Sequence, residues 1–257
     1  MDVETLGADL VLLAVQPDGR VVGGGHRLAF SLMGSELVRL AVGGKVDIAD
    51  GRIVVRDAAP TGDAQLDQAL QSLVRAPRPP AAKAWVGSPR RGILSAYLAG
   101  LSAAGVLRKE SRKALGLFPV TRWQITDPAR AAEVRARLDA IARSAGPVEP
   151  GQAALGGLAR AAGLSAALYP GKANSDARAR LKQIAEEKVP GAGPAGTAVA
   201  DAVRRSAAEA SGAATDAATQ AAVSAATHAA IHAAVHAAAH AAAATGSHGG
   251  AAGGHGH

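Results

Sequence analysis

The sequence predicts a mainly α-helical protein: a single helical domain with short β-hairpins, followed by a long alanine-rich tail, helical or disordered. Three observations predict it. Apolar residues recur at helical spacing through most of the chain before residue 190. Aromatic residues make up only 2% of the 257 residues, so the core must be built from Leu, Val, Ile and Ala, which favours packed helices over stacked sheets. Beyond residue 210 the composition is dominated by Ala, His and Gly, which bury little. The expected domain is residues 1–210, and the low-complexity tail is residues 211–257.

Thr5 to Val15 read as a first helix, with Leu6, Leu10, Leu13 and Ala14 on one face. Pro17-Asp18-Gly19 is a turn. Val21-Val22 begins a short extended piece that Gly23-Gly24-Gly25 closes. A second helix is expected from Leu28 to Ala41, stopped by Gly43-Gly44. Lys45–Ile48 and Arg52–Val55 alternate polar and apolar residues around Asp50-Gly51, a hairpin signal. The loop from Asp57 to Asp63 leads into a helix whose inward face is Leu66, Ala69, Leu70 and Leu73, with Asp63 as its cap.

A short helix starts between Lys83 and Trp85. Ser88-Pro89 reads as an N-cap with Pro at the first helical position, which predicts a helix from Arg90 to Ala104. Val106–Arg108 and Leu115–Phe118 are expected to pair as short strands. Asp127-Pro128 opens a helix from Ala129 to Arg143, acidic at its start and Arg-rich at its end, as the helix dipole favours. Gln152 to Leu168 reads as one buried small-residue helix, and Ala177 to Glu187 as another. Trp85 and Trp123 are expected as core or half-buried anchors.

Lys and Arg outnumber Asp and Glu by 28 to 21, a formal charge of +7. Such a surface attracts phosphates, whether on lipid or on nucleic acid. The chain has no cysteine, which excludes disulfides, thiolate metal sites and a cysteine nucleophile. The opening residues carry acids and no basic region, unlike a signal peptide. No stretch suits a membrane span of about 20 apolar residues. Ala221 to Ala244 is long enough, but it is alanine interrupted by four histidines. Any membrane association is therefore expected to be peripheral, from the cytoplasm. The expected domain holds no nucleophile elbow, no dinucleotide fingerprint and no complete metal-ligand set, so no enzyme and no cofactor are expected.

One series of segments carries a family resemblance. It begins with Leu10-Val11-Leu12-Leu13-Ala14-Val15 and the Pro-Asp-Gly turn. Gly34, Glu36 to Ala41 and Gly43-Gly44-Lys45-Val46 follow. The sharpest segment is Asp57-Ala58-Ala59-Pro60-Thr61-Gly62-Asp63 with Leu66-Asp67 and Ala69-Leu70. Trp85, Gly105-Val106-Leu107, Leu117-Phe118 and Asp127-Pro128 complete the order. Together these resemble the Golgi phosphoprotein-3 family, from Leu6 to about Ala210. The resemblance implies a non-enzymatic peripheral adaptor that docks on anionic membranes and gathers the cytosolic tails of membrane proteins. Eukaryotic members bind phosphatidylinositol 4-phosphate through a tryptophan and several arginines. The tryptophan position falls here at Gly24 and one arginine position at Met33, so the resemblance does not carry that pocket over. The family's membrane-inserting hairpin is expected to shrink here to Leu168-Tyr169-Pro170-Gly171.

Two basic pairs are the candidate lipid contacts in its place. His26-Arg27 follows three glycines whose backbone N–H groups are able to face an anion. Arg90-Arg91 falls in the expected first turn of a helix, where free N–H groups favour anions. Asp57 and Asp63 are two carboxylates without a companion nucleophile, and a structural role is expected for them.

Seven of the eight histidines lie in the tail. His228, His232, His236 and His240 recur every four residues, which on a helix keeps them on one face. An i, i+4 histidine pair chelates divalent metal weakly when no carboxylate completes the site. The same histidines gain charge below a reference pKa of about 6.5.

The function expected is binding of anionic, phosphoinositide-type lipid headgroups. The alternative is nucleic-acid binding through a winged-helix-like arrangement of the Arg90 helix and the strands after it, with Arg108, Lys109, Arg112 and Lys113 at the wing tip.

Overall fold

The structure, a computed structural model, describes residues 3–23, 26–114 and 118–186. In chain order its elements are α1 (Leu6–Ala14), α2 (His26–Val42), β1 (Val46–Ala49), β2 (Arg52–Val55), α3 (Ala64–Val74), α4 (Ala82–Val86), α5 (Ile93–Ala103), β3 (Leu107–Ala114), β4 (Phe118–Ile125), α6 (Pro128–Ala142), α7 (Pro150–Ala161), α8 (Leu164–Leu168) and α9 (Ser175–Glu186). The fold is the expected one: mainly helical, with two antiparallel hairpins. The expected boundary at residue 210 and the whole histidine tail lie outside the described residues.

Helix α1 is the centre of the core. Apart from Asp9 it is apolar, and Leu6, Leu10, Val11 and Ala14 are wholly buried, as suits a helix hydrophobic nearly all round. Helices α2, α5, α6 and α7 pack around it. Small residues let them approach closely. A Cβ placed on Gly7 would lie 2.5 Å from the Tyr97 hydroxyl, so the tyrosine of α5 occupies a slot that only glycine leaves open. A Cβ on Gly156 of α7 would come within 3.1 Å of Ile141 Cγ2 and 3.3 Å of Leu181 Cδ2, where α6, α7 and α9 meet.

Local chemistry accounts for many of the boundaries. The turn Asp50-Gly51 has φ of 51° and 71°, the pair of positive values that a two-residue hairpin requires, and it sets the register Ala49↔Arg52 through Val46↔Val55. Asp63 caps α3, accepting from Gln65 N at 2.8 Å and Leu66 N at 3.2 Å. Asp127 caps α6 by accepting from Arg130 N at 2.9 Å, with Pro128 at the first helical position.

Four expectations need correction. Helix α5 begins at Ile93 rather than Arg90, and its cap is Gly92 in the left-handed region. Ser88-Pro89 is therefore not its start. The second hairpin is eight residues long on each strand, and its register pairs Leu107 with Ile125, not with residues 115–118. Pro119 falls within β4, and in a two-stranded sheet both strands are edges and tolerate proline. The expected helix from Gln152 to Leu168 is two helices broken at Gly163, whose φ is 77°.

In the Leu168–Gly171 segment Pro170 and Gly171 are exposed, but the tyrosine between Leu168 and Pro170 points inward. Tyr169 is only 2% exposed, donates its hydroxyl proton to Asp139 Oδ1 at 2.6 Å, and carries the Arg135 guanidinium 4.9 Å over its ring. The basic hairpin strands are themselves held at their root. Trp123 N donates to Gly19 O at 2.8 Å, and Thr126 N donates to Val106 O at 3.0 Å.

Two stability effects follow from this packing. In an open helix Gly→Ala stabilises by up to about 1 kcal/mol. At Gly7 overpacking against Tyr97 reverses the sign, with an expected net loss of about 1–2 kcal/mol. Urea denaturation should show Gly7→Ala lowering the midpoint, and Gly7→Ala with Tyr97→Leu should lose less than the two changes summed.

The second effect is at Asp63. Burial pushes its carboxyl up, but Arg39 and the N–H groups of Leu66 and Gln65 outweigh burial and hold it below its ordinary value. Its contribution is present above the unfolded value near about 3.9 and is lost as pH falls through the lower folded value. Asp63→Ala should cost about 1–2 kcal/mol at pH 7. Thermal unfolding at successively lower pH should show that difference narrowing below about pH 4.

Candidate functional site

The connection from α1 to α2 folds back on itself. Gln16 N donates to Arg20 O, Val22 N donates to Ala14 O, and Val15 bridges Val21. It ends with Gly23 against the last turn of α7, where a Cβ would sit 3.0 Å from Ala162 O. Helix α2 then starts at His26. His26 and Arg27 are exposed, while Leu28 is buried. The Arg27 side chain lies over the α7–α8 break, with Nη1 3.5 Å from the point a Gly163 Cβ would take. No described carboxylate pairs with Arg27.

The second basic pair divides. Arg91 is exposed and pairs with no described residue. Arg90 turns inward to Glu36 of α2. Its Nη2 donates to Glu36 Oε1 at 2.7 Å and its Nη1 to Oε2. Glu36 has no exposed surface, and the Arg90 side chain keeps 19%. Burial pushes the Glu36 carboxyl up from its ordinary value, against the opposing pull of Arg90. Burial also pushes the Tyr97 hydroxyl up, and the neighbouring Glu36 charge adds to it.

Arg27 and Glu36 are nine positions apart on α2, a rise of about 13 Å at 1.5 Å per residue. The fold therefore leaves one free cation in the second pair, because Arg90 is held by Glu36. It leaves Arg27 and Arg91 as separate exposed cations.

The wing-like residues are also redistributed. Arg108 and Lys109 stand at the root of the long hairpin, not at its tip, while Arg112 and Lys113 are farther out along β3. Arg108 donates to Gln124 and pairs with Glu110 at 3.4 Å. The exposed residues of α5 are Ser95, Ala99, Gly100 and Ala103. Of these only Ser95 has a polar side chain with which to reach a base edge. Asp57 has a structural task, accepting from Lys45 Nζ at 2.6 Å and Ala59 N at 2.8 Å. Trp85 and Trp123 are half-buried.

Sequence reasoning missed the buried charges. Asp9 of α1 has no exposed surface and is held by two arginines of α6, Arg130 at 2.8 Å and Arg137 at 3.0 Å. Burial pushes its carboxyl up despite both arginines. The signal was present: Asp9 follows Leu6 by three and precedes Leu13 by four, so it shares their buried stripe. Glu36 lies four residues from both Leu32 and Leu40 in the same way.

A cleft of about 220 Å³ under the hairpin root is lined by Gln16, Asp18, Glu110, Arg122, Trp123 and Gln124. Its charges are of both signs, and it holds no nucleophile. Among the described residues no cluster of three His, Cys, Asp or Glu is placed to hold a metal ion. No described helix is long and apolar enough to cross a membrane. The candidate metal ligands His228, His232, His236 and His240 lie outside the described residues.

No curated protein matches the chain. The sequence profile described as Golgi phosphoprotein 3 (GPP34) matches residues 6–224. That span includes every described element, the Asp57–Asp63 loop and both hairpins. The chain belongs to the Golgi phosphoprotein 3 family, whose members are non-enzymatic peripheral membrane adaptors.

Proposed function

We propose that this protein is a non-enzymatic adaptor that docks peripherally on anionic membranes, binding phosphate-bearing lipid headgroups through His26, Arg27 and Arg91. The observation that carries the reading is family membership across residues 6–224. The unpaired exposed arginines at the starts of α2 and α5 support it. Arg27 is in the first turn of a 17-residue helix, the end at which an anion is favoured. The basic strand β3 adds positive charge for a membrane surface. Cytosolic tails of membrane proteins are the partners this reading brings with it, and the cytoplasm is the compartment. The nucleic-acid alternative has less support, because α5 exposes mostly small apolar residues where a recognition helix needs polar ones. For the tail, weak divalent-metal binding by His228, His232, His236 and His240 remains our proposal.

The test is co-sedimentation of the full chain with neutral vesicles and with vesicles carrying anionic lipid, at low and physiological salt. Binding to the anionic vesicles should persist at physiological salt. Each of Arg27→Ala and Arg91→Ala should weaken it about fivefold, the worth of one basic residue near an anionic surface. Sedimentation with neither vesicle, together with DNA binding that depends on Arg112 and Lys113, would sink the reading in favour of the alternative.

A further inference from the structure

Arg90 is a cation at the surface margin that the fold keeps from solvent. It stands in the turn before α5, beside exposed Arg91, yet both its terminal nitrogens bond Glu36 in the middle of α2. Met33 Sδ lies 3.8 Å from Nη1, and the Tyr97 hydroxyl lies 3.5 Å from Glu36 Oε1. The nearest other charges are Arg39 of α2 and Asp63 at the cap of α3, and these two pair with each other at 2.6 Å. Glu36 therefore has one cationic hydrogen-bond partner. A bidentate guanidinium–carboxylate pair is a strong contact. Removing one member leaves the other charge uncompensated. Glu36 has no route to water, but Arg90 does.

We propose that Glu36 sets headgroup specificity at the start of α5: it withholds Arg90, so that this face presents Arg91 alone and does not favour phosphomonoester headgroups over singly charged phosphodiesters. This rests on the membrane-docking reading above. A phosphomonoester near neutral pH carries nearly two charges and three strong acceptor oxygens, and it is matched by clustered arginines. A phosphodiester carries one charge. With a single free guanidinium, the phosphomonoester has no advantage beyond surface charge. Glu36→Gln keeps the side-chain size and removes the charge. Arg90 is then held only by a neutral amide, and a phosphomonoester beside Arg91 competes for it.

The experiment uses the full chain and phosphatidylcholine vesicles containing either phosphatidylinositol or phosphatidylinositol 4-phosphate, mixed to equal surface charge, at physiological salt. The wild-type chain should bind both alike. Glu36→Gln should gain about tenfold on the phosphomonoester vesicles, the worth of a charge-assisted hydrogen bond. Asp176→Asn makes the same charge change at an exposed site on α9 and should show no such preference. Glu36→Met with Arg90→Met replaces the pair by apolar side chains, a change that buried pairs often tolerate. This double variant should keep wild-type binding.

Three results would overturn the proposal. They are a tenfold wild-type preference for the phosphomonoester, a folded Glu36→Gln variant without the gain, and loss of binding in the double methionine variant, which would make Arg90 itself a ligand. Wild-type chain that binds no anionic vesicle would instead remove the docking reading, and this inference with it.

Discussion

Helix α1 has no face left for water, and that constraint decides what its neighbours must supply. A helix buried on all sides gains from every apolar side chain it carries, but it cannot solvate a charge. Asp9 is therefore possible only because α6 brings Arg130 and Arg137 to it across 121 and 128 positions of sequence. The same logic acts one helix away, where buried Glu36 draws Arg90 out of the turn before α5. Each carboxylate fixes a distant element against the α1–α2 pair. Such pairs add less net stability than their geometry suggests, because desolvation offsets much of the attraction. Their stronger effect is against misplacement: sliding α6 along α1 by one turn would leave buried charges unmatched.

This internal use of arginine changes the meaning of the net charge. A formal charge of +7 suggests a broadly basic surface. In the fold, Arg39, Arg90, Arg130 and Arg137 face buried or half-buried carboxylates. Arg178 donates to the carbonyls of Tyr169 and Gly171 after α8, and Arg180 donates to that of Gly146. The exposed cations left without such partners include Arg27 and Arg91. Their number is set by the carboxylates inside the protein as much as by the arginines in the sequence.

What was legible in the sequence was what is decided locally. The Asp50-Gly51 turn, the Asp63 cap and the Asp127-Pro128 start depend on a few adjacent residues, and each forms as the residue types dictate. The misplaced start of α5 shows the limit. Ser88-Pro89 has the right chemistry for a helix start, but Arg90 is drawn toward Glu36, and the helix waits until Gly92. Glycine gave the same difficulty. Gly156 stays helical because it meets Ile141 and Leu181 closely, while Gly163 breaks the helix with a positive φ. Nothing in the immediate sequence separates the two cases, because packing partners from α6 and α9 make the difference. The candidate site was legible in its residue types and not in its geometry, since pairing with a residue 54 positions away decides whether Arg90 is free.

The geometry of the free cations also bears on how such a protein meets a membrane. Arg27 lies in the first turn of α2, and Arg90, which precedes α5, reaches Glu36 nine positions farther along that helix, a rise of about 13 Å. On the docking reading proposed above, Arg27 and Arg91 are separate points of contact on a surface that bears many phosphates. Binding of that kind depends on the density of surface charge and weakens with salt. Discrimination among headgroups must then come from what each point of contact offers alone. At the start of α5 this is one guanidinium in solvent and a second one held by Glu36.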